Sequence, residues 1–174
     1  MEVKETLTLI GIGVTFIIGV ANLIVSLFNT KKTTFINSVT TSRTKYIQEF
    51  RNTVSDLCGL VTSYQSKKPK LEKEQRFELL KQINILKYRI QLYLNPADED
   101  WDGKILNIIK DIETKTGTTL QEKITELIDI TQFLLKLEWE GVKRESEKGN
   151  ISGLEKREMY NKNLGLYKSH ITKK

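Results

Sequence analysis

The longest apolar stretch of the chain runs from Leu7 to Phe28, where 22 consecutive residues carry no charged side chain. As an α-helix it would rise about 33 Å, close to the roughly 30 Å hydrocarbon thickness of a bilayer. The buried core helix of a soluble protein is rarely this long and apolar on every face. A cleaved signal peptide fits less well, because Met1–Thr6 holds one lysine against two glutamates and the apolar run exceeds the usual ~7–15 residues. The pattern predicts a transmembrane helix.

Small and polar residues recur every three or four positions along this segment, which places them on one helix face. This polar face consists of Thr8, Gly11, Thr15, Gly19, Asn22, Ser26 and Asn29. Small residues at this spacing let membrane helices approach closely, and the Asn22 amide is costly in lipid unless another helix or water satisfies it. Either the face is passive, or copies of the chain pack through it or line an aqueous path with it. We favour self-association, because a lone helix offers Asn22 no partner.

The pattern after the membrane segment is that of a long helix without a proline. Apolar and small residues alternate at intervals of four and three, as in a coiled-coil seam. The seam comprises Ile36, Thr40, Arg43, Ile47, Phe50, Val54, Leu57, Val61 and Tyr64. The membrane helix is therefore predicted to continue into a long cytoplasmic helix, although Gly59 weakens the pattern near its end.

Further helical patterns follow Pro69. Helices are predicted over Leu71–Leu94, over Ala97–Lys115, after a Thr119–Glu122 capping box and after a Ser152–Glu155 capping box. The residues expected to face inward include Phe77, Ile83, Ile90, Ile124, Leu127, Ile128, Leu134, Leu154, Tyr160, Leu164 and Tyr167. The fold class is all-α, with a transmembrane helix at 1–30 and a cytoplasmic helical bundle at 31–174.

Charge suggests an orientation and two kinds of partner. The formal net charge is +6, and only Lys4 precedes the apolar segment. The candidate juxtamembrane basic residues follow it: Lys31, Lys32, Arg43, Lys45 and Arg51. The positive-inside rule places the N-terminus outside and the C-terminal domain in the cytoplasm, in agreement with a single cysteine. Such a charge suits a lipid bilayer or RNA, although Tyr46 and Phe50 beside these cations are more often core residues than an RNA-binding surface.

Catalytic and metal-binding patterns are weak. His170 is the only histidine, so a histidine-dependent site would depend on a frayed chain end. Cys58 lies on the apolar face of the first cytoplasmic helix and is interpreted as a buried side chain. Alternate acids in Asp98–Gly103 resemble the start of a calcium loop, but its twelfth position is Ile109 instead of glutamate. We predict no enzyme activity, cofactor, metal or small-molecule substrate.

Three segments resemble a family of small bacterial membrane proteins: Ser42–Arg51, Tyr88–Pro96 and Leu134–Glu145. Within it, the chain is similar to the membrane accessory proteins of type VI-B CRISPR-Cas loci. The resemblance implies one membrane helix, a divergent HEPN-like helical domain and a pore-like oligomer that strengthens antiphage defence by an RNA-guided nuclease. HEPN ribonucleases have histidine four to six residues after an arginine, whereas Arg157 precedes His170 by thirteen. Ribonuclease activity is therefore not carried over.

The leading hypothesis is a homo-oligomeric membrane effector that permeabilises or depolarises the bacterial inner membrane during phage infection. Its partners would be the bilayer, other copies of the chain and an RNA-guided nuclease or RNA. Two alternatives stay open: a membrane-tethered HEPN-type RNA-binding protein or ribonuclease, and a passive scaffold that recruits a partner to the membrane.

Overall fold

One unbroken helix, α1 (Val3–Lys67), joins the apolar segment to the rest of the protein. The computed structural model describes the backbone of residues 3–173 and, within that range, the side chains of all residues except 3–6, 9, 32 and 35. The predicted continuity across residue 30 is confirmed. The absence of proline permits it, since no residue in α1 lacks the amide that each helical turn requires.

Four shorter helices follow α1. They are α2 (Lys73–Tyr93), α3 (Asp102–Ile109), α4 (Gly117–Lys148) and α5 (Gly153–Thr172), with 3-10 turns at Lys68–Lys70 and Ile112–Thr114. All regular secondary structure in the described range is helical. The predicted all-α fold class is confirmed, and the likeness to a HEPN domain stays a prediction.

The C-terminal half of α1 forms the centre of the bundle. It packs against both α2 and α4, while α5 packs on α4. From Ile47 onward every member of the predicted seam is buried, and Phe50, Leu57 and Val61 are fully inaccessible. Each such side chain contributes roughly 1.5–3 kcal/mol relative to exposure. Burial of the seam, more than helix propensity, therefore fixes this half of α1 in the bundle.

The predicted helix ends are partly wrong. α4 begins at Gly117 after the N-cap residue Thr116, so Thr119 lies inside the helix and caps nothing. The Ser152 capping box is confirmed: its Oγ accepts from the Glu155 amide at 3.2 Å, and Glu155 accepts from the Ser152 amide. α2 has a capping box of its own, between Glu72 and Gln75, that the sequence analysis missed.

The third predicted helix, over Ala97–Lys115, is too long. Only Asp102–Ile109 is α-helical, because Asp98 holds the preceding residues in a turn. The Asp98 Oδ1 accepts hydrogen bonds from the backbone amides of Asp100 and Trp101 at 3.0 and 3.1 Å. Side chains of this type compete with helical hydrogen bonds and favour turns.

Three residues predicted to face inward are exposed instead: Phe77 (69%), Leu154 (76%) and Ile128 (41%). On α2 the buried face runs through Ile83, Lys87 and Ile90. Lys87 is buried because its Nζ lies 2.8 Å from both Glu113 Oε2 and the Lys110 carbonyl oxygen. Hydrophobic spacing could not reveal a lysine in the core, although the predicted inward positions Ile83 and Ile90 are buried as expected.

Candidate functional site

The apolar half of α1 is exposed along its length. Leu7, Phe16, Ile17 and Phe28 are each more than 60% exposed, and none of the most apolar 18-residue window is buried. The core helix of a soluble protein would be mostly buried. In the described part of the chain, α1 is the one helix long and apolar enough to cross a membrane.

The polar face lies on this exposed half of α1, and all seven of its residues are exposed. Thr15 Oγ1 donates to the Gly11 carbonyl oxygen at 2.8 Å, which satisfies that hydroxyl within the helix. A Cβ built on Gly11 or Gly19 would meet nothing within 4 Å. These glycines therefore leave open space beside the helix, which another helix backbone can approach.

The same spacing continues beyond Asn29, which the sequence analysis did not notice. At 3.6 residues per turn, the next positions on this side of α1 are again polar. They are Thr33, Asn37, Thr40, Thr44, Gln48, Arg51 and Ser55. One side of α1 thus carries polar or small residues from Thr8 to Ser55. Extending the three- and four-residue spacing past the apolar segment would have found them.

The five basic residues do not form one cluster. At 1.5 Å per residue, Arg43 lies about 22 Å and Arg51 about 35 Å beyond Phe28 along α1. The screening length at physiological salt is only about 8 Å, so Arg43 and Arg51 cannot act together with Lys31 at one anionic surface. Lys31 and Lys45 are exposed, whereas the Lys32 side chain lies outside the described residues. Lys45 makes a surface pair with Glu49 at 3.8 Å.

Arg43 holds α1 to the bundle at the point where the buried seam begins. Its Nη1 lies 3.2 Å from Oε2 of the buried Glu145 on α4, and Lys156 Nζ on α5 lies 3.6 Å from Oε1 of the same carboxylate. Gly141 permits this approach, since a Cβ there would lie 2.9 Å from Arg43 Nη1. We call Arg43, Glu145 and Lys156 the clamp.

A second acid lies beside the clamp. Burial raises the pKa of Glu138, and the charge of Arg43 opposes that shift. The clamp and Glu138 together place two carboxylates and two cations beside the turn of α1 where the buried seam begins.

The aromatic residues near these cations belong to the core. Phe50 is fully buried, and Tyr46 stacks on it with ring centroids 5.8 Å apart. Tyr93 of α2 meets both rings edge-on. The core interpretation of Tyr46 and Phe50 is confirmed, and these rings offer no stacking surface for RNA bases.

Cys58 and His170 do not meet. Cys58 is buried, as predicted, and burial raises the pKa of its thiol to about 11, so it is un-ionised near neutral pH. His170 Nε2 lies 3.8 Å from Asp129 Oδ1, and its ring lies 5.5 Å from that of Phe133. Arg157 is on the same helix about 20 Å from His170, too far for both to hold one phosphate.

The acidic segment before α3 is held by hydrogen bonds. Tyr160 Oη donates to Asp98 Oδ1 at 3.0 Å, and the Asn95 amide donates to Asp102 Oδ2 at 2.6 Å. Among the residues that the structure describes, no three His, Cys, Asp or Glu side chains are arranged to hold a metal ion. The local role of these acids is to shape the turn that starts α3.

No protein-family model, curated protein or solved structure matches this chain.

Proposed function

We propose that the protein is a single-pass membrane protein whose copies associate through the polar face of α1 into a pore-like assembly. The assembly would permeabilise or depolarise the bacterial inner membrane. The observation that carries the proposal is the row of exposed small and polar residues on a helix that is otherwise apolar.

The energetics of membrane helices support association through this face. Without a hydrophobic driving force between helices in lipid, close packing and interhelical hydrogen bonds determine which faces meet. The open space beside Gly11 and Gly19 allows close packing, and Asn22 supplies an amide that can both donate and accept. An interhelical hydrogen bond contributes roughly 0.6–2 kcal/mol. In a ring-shaped oligomer every protomer would make the same bond.

The bundle would act as the cytoplasmic sensor of this assembly. Lys31 and Lys32, just beyond the apolar segment, favour a cytoplasmic location of the bundle. Because α1 is unbroken from the apolar segment to the clamp, a partner that moves the bundle would also turn or tilt the membrane helix. The antiphage role, and a partnership with an RNA-guided nuclease or RNA, rest on the family resemblance alone.

Substitution of the polar face tests the proposal. Asn22→Leu and Gly19→Leu remove the amide and fill the open space, and Ile24→Leu changes an apolar residue on the opposite side of the helix. We expect the first two variants to shift the mass of the assembly in lipid nanodiscs towards monomer. Ion flux into liposomes should fall with them, and Ile24→Leu should behave as wild type.

Two results would replace the proposal by an alternative. A monomer or dimer whose mass is unchanged by Asn22→Leu and Gly19→Leu, without ion flux, indicates a passive scaffold. Cleavage of RNA by the purified protein that is lost in His170→Ala indicates a ribonuclease.

A further inference from the structure

A groove of about 520 Å³ lies between the C-terminal half of α1 and α4. Its apolar lining comes from Val54 and Cys58 on α1 and from Ile128, Leu135 and Trp139 on α4. The volume falls within the ~300–1,000 Å³ of small-molecule sites, which are mostly apolar with a few placed polar groups. Trp139 is 44% exposed, so the groove is open to solvent at this residue.

Two cations in the lining lack a partner. Arg51 and Lys136 form no ion pair with any described residue, although Arg43, Lys87 and Lys156 each have one. An apolar groove with two unpaired cations is complementary in charge to an amphiphile with an anionic head.

The groove also contains a buried hydroxyl without a partner. Thr131 is 5% exposed, and its Oγ1 makes no hydrogen bond within the described chain. The Oγ1 atom is itself inaccessible to solvent, so Thr131 forms part of the groove wall and is not a polar contact for a ligand.

The antiparallel packing of α1 and α4 orders these groups along the groove. Because Arg43 pairs with Glu145, the turn of α1 that contains Arg51 lies level with Lys136 and Trp139, and Cys58 lies level with Ile128 and Thr131. The groove therefore has a charged end at Arg51 and an apolar end at Cys58. These two residues are seven positions apart on α1, which corresponds to about 10 Å along the helix.

We propose that this groove binds a single-chain anionic lipid, a lysophosphatidic acid in its chemistry. The phosphate would pair with Arg51 and Lys136 at the charged end, and the acyl chain would lie on Val54, Cys58 and Ile128. Arg51 is about 35 Å from the apolar segment, so the ligand must leave the bilayer. One acyl chain gives only weak, reversible membrane binding, and a single-chain lipid can therefore reach the site.

A Ser55→Cys variant in a Cys58→Ala background reports occupancy, because Ser55 is exposed and lines the groove, whereas Cys58 is buried and un-ionised near neutral pH. The full-length protein in nanodiscs is treated with N-ethylmaleimide, and alkylation is followed by intact mass. We expect lauroyl lysophosphatidic acid to slow alkylation about tenfold. Lauroyl lysophosphatidylcholine, with the same chain and no net charge, should have little effect.

Charge variants decide whether the cations recognise the head. Arg51→Gln combined with Lys136→Gln should abolish protection. The matched control, Lys81→Gln with Arg89→Gln, removes two cations of α2 outside the groove and should leave protection unchanged. Because all four side chains are exposed, folding should be preserved, and circular dichroism checks this.

Three results would overturn the proposal. They are equal protection by the phosphatidylcholine analogue, protection that persists in the Arg51→Gln, Lys136→Gln variant, and protection by adenosine monophosphate with none by the lipid. A second measurement uses a lysophosphatidic acid with a photoreactive acyl chain. Cross-links should map to residues 54–58 or 128–135, and cross-links elsewhere in the bundle contradict the assignment.

Discussion

At the scale of single residues, a few buried charges distinguish this bundle from a purely hydrophobic one. Glu145 is 5% exposed, and its carboxylate lies between Arg43 and Lys156. A buried carboxylate that loses its cation keeps the full desolvation cost, whereas an exposed pair contributes little. Two basic residues two positions apart in sequence, Arg43 and Lys45, should therefore differ sharply in their effect on stability.

Arg43→Gln is expected to destabilise the bundle by about 3 kcal/mol, because it leaves the buried Glu145 with one cation at 3.6 Å. Lys45→Gln breaks only the 3.8 Å surface pair with Glu49 and should change stability by less than about 0.5 kcal/mol. Urea unfolding of both variants, followed by circular dichroism, checks the difference. Equal effects would mean that the clamp does not stabilise the bundle.

Asp102 and Asp111 should affect stability in opposite directions as the pH changes. Burial raises the pKa of Asp102, so the folded chain binds its proton more readily than the unfolded chain. The stability that Asp102 gains by binding this proton is fully present below the pKa that Asp102 has in the unfolded chain. It is lost as the pH rises through the pKa that Asp102 has in the folded chain. The Lys115 ammonium lowers the pKa of Asp111, and its contribution is lost as pH falls through the folded pKa.

Wild type should therefore gain thermal stability relative to Asp102→Asn as the pH falls from 7 to 4, and lose it relative to Asp111→Asn as the pH falls further, below the ordinary aspartate pKa of about 4. Asparagine suits the comparison because its side-chain oxygen can still accept the Asn95 amide hydrogen bond. Melting temperatures of the three proteins across this range provide the measurement. Parallel curves for wild type and Asp102→Asn would contradict the predicted shift.

At the scale of elements, local sequence signals located helices better than they located helix ends. Helix-breaking proline and glycine residues, together with apolar residues at three- and four-residue spacing, predicted α1, α2, α4 and α5. Thr119–Glu122 and Ser152–Glu155 have the same capping-box pattern, yet only Ser152 is an N-cap. The N-cap of α4 is Thr116 and not the predicted Thr119. The helix begins at Gly117, whose φ of 54° would strain a residue with a side chain.

Ser152→Ala should therefore cost about 1 kcal/mol, since it removes the oxygen that accepts from the Glu155 amide. Thr119→Ala is the matched control, because it replaces a residue inside α4 with a better helix former. It should be neutral or stabilising by up to about 0.5 kcal/mol. Denaturant midpoints of the two variants give the comparison, and a larger loss for Thr119→Ala would contradict the observed start of α4.

At the scale of the whole molecule, α1 combines two environments in one helix. Its first half exposes apolar side chains, and its second half is the central helix of the bundle. The polar positions from Thr8 to Ser55 run along one side of both halves. The same side of α1 therefore carries the proposed membrane contact and, at Arg51, the groove with α4.

The orientation of the molecule in the membrane is testable by labelling. Single cysteines are introduced as Glu2→Cys or Ser169→Cys in a Cys58→Ala background. A membrane-impermeant maleimide should label the first in intact spheroplasts and the second only after lysis, because Lys31 and Lys32 favour a cytoplasmic bundle. The reverse pattern would place the bundle outside and exclude a cytoplasmic partner.

The sequence by itself determined the features that depend on neighbours along one helix. Length and apolarity identified a segment that is long and apolar enough to span a membrane, and periodic spacing identified the buried seam from Ile47 to Tyr64, because both signals repeat within a few turns. The same local reasoning identified Cys58 as buried and the Ser152 cap. Continuity of α1 followed from the absence of a helix breaker.

Only the tertiary structure decided which distant residues meet. Arg43 and Glu145 are 102 positions apart, and Arg51 and Trp139 are 88 apart, so no local pattern relates either pair. The antiparallel packing of α4 on α1 brings both pairs together. It also gives Arg43, Lys45 and Arg51 different surroundings. Arg43 pairs with a buried carboxylate, Lys45 makes a surface pair and Arg51 lines the groove, because the packing of whole helices determines the partners of each charge.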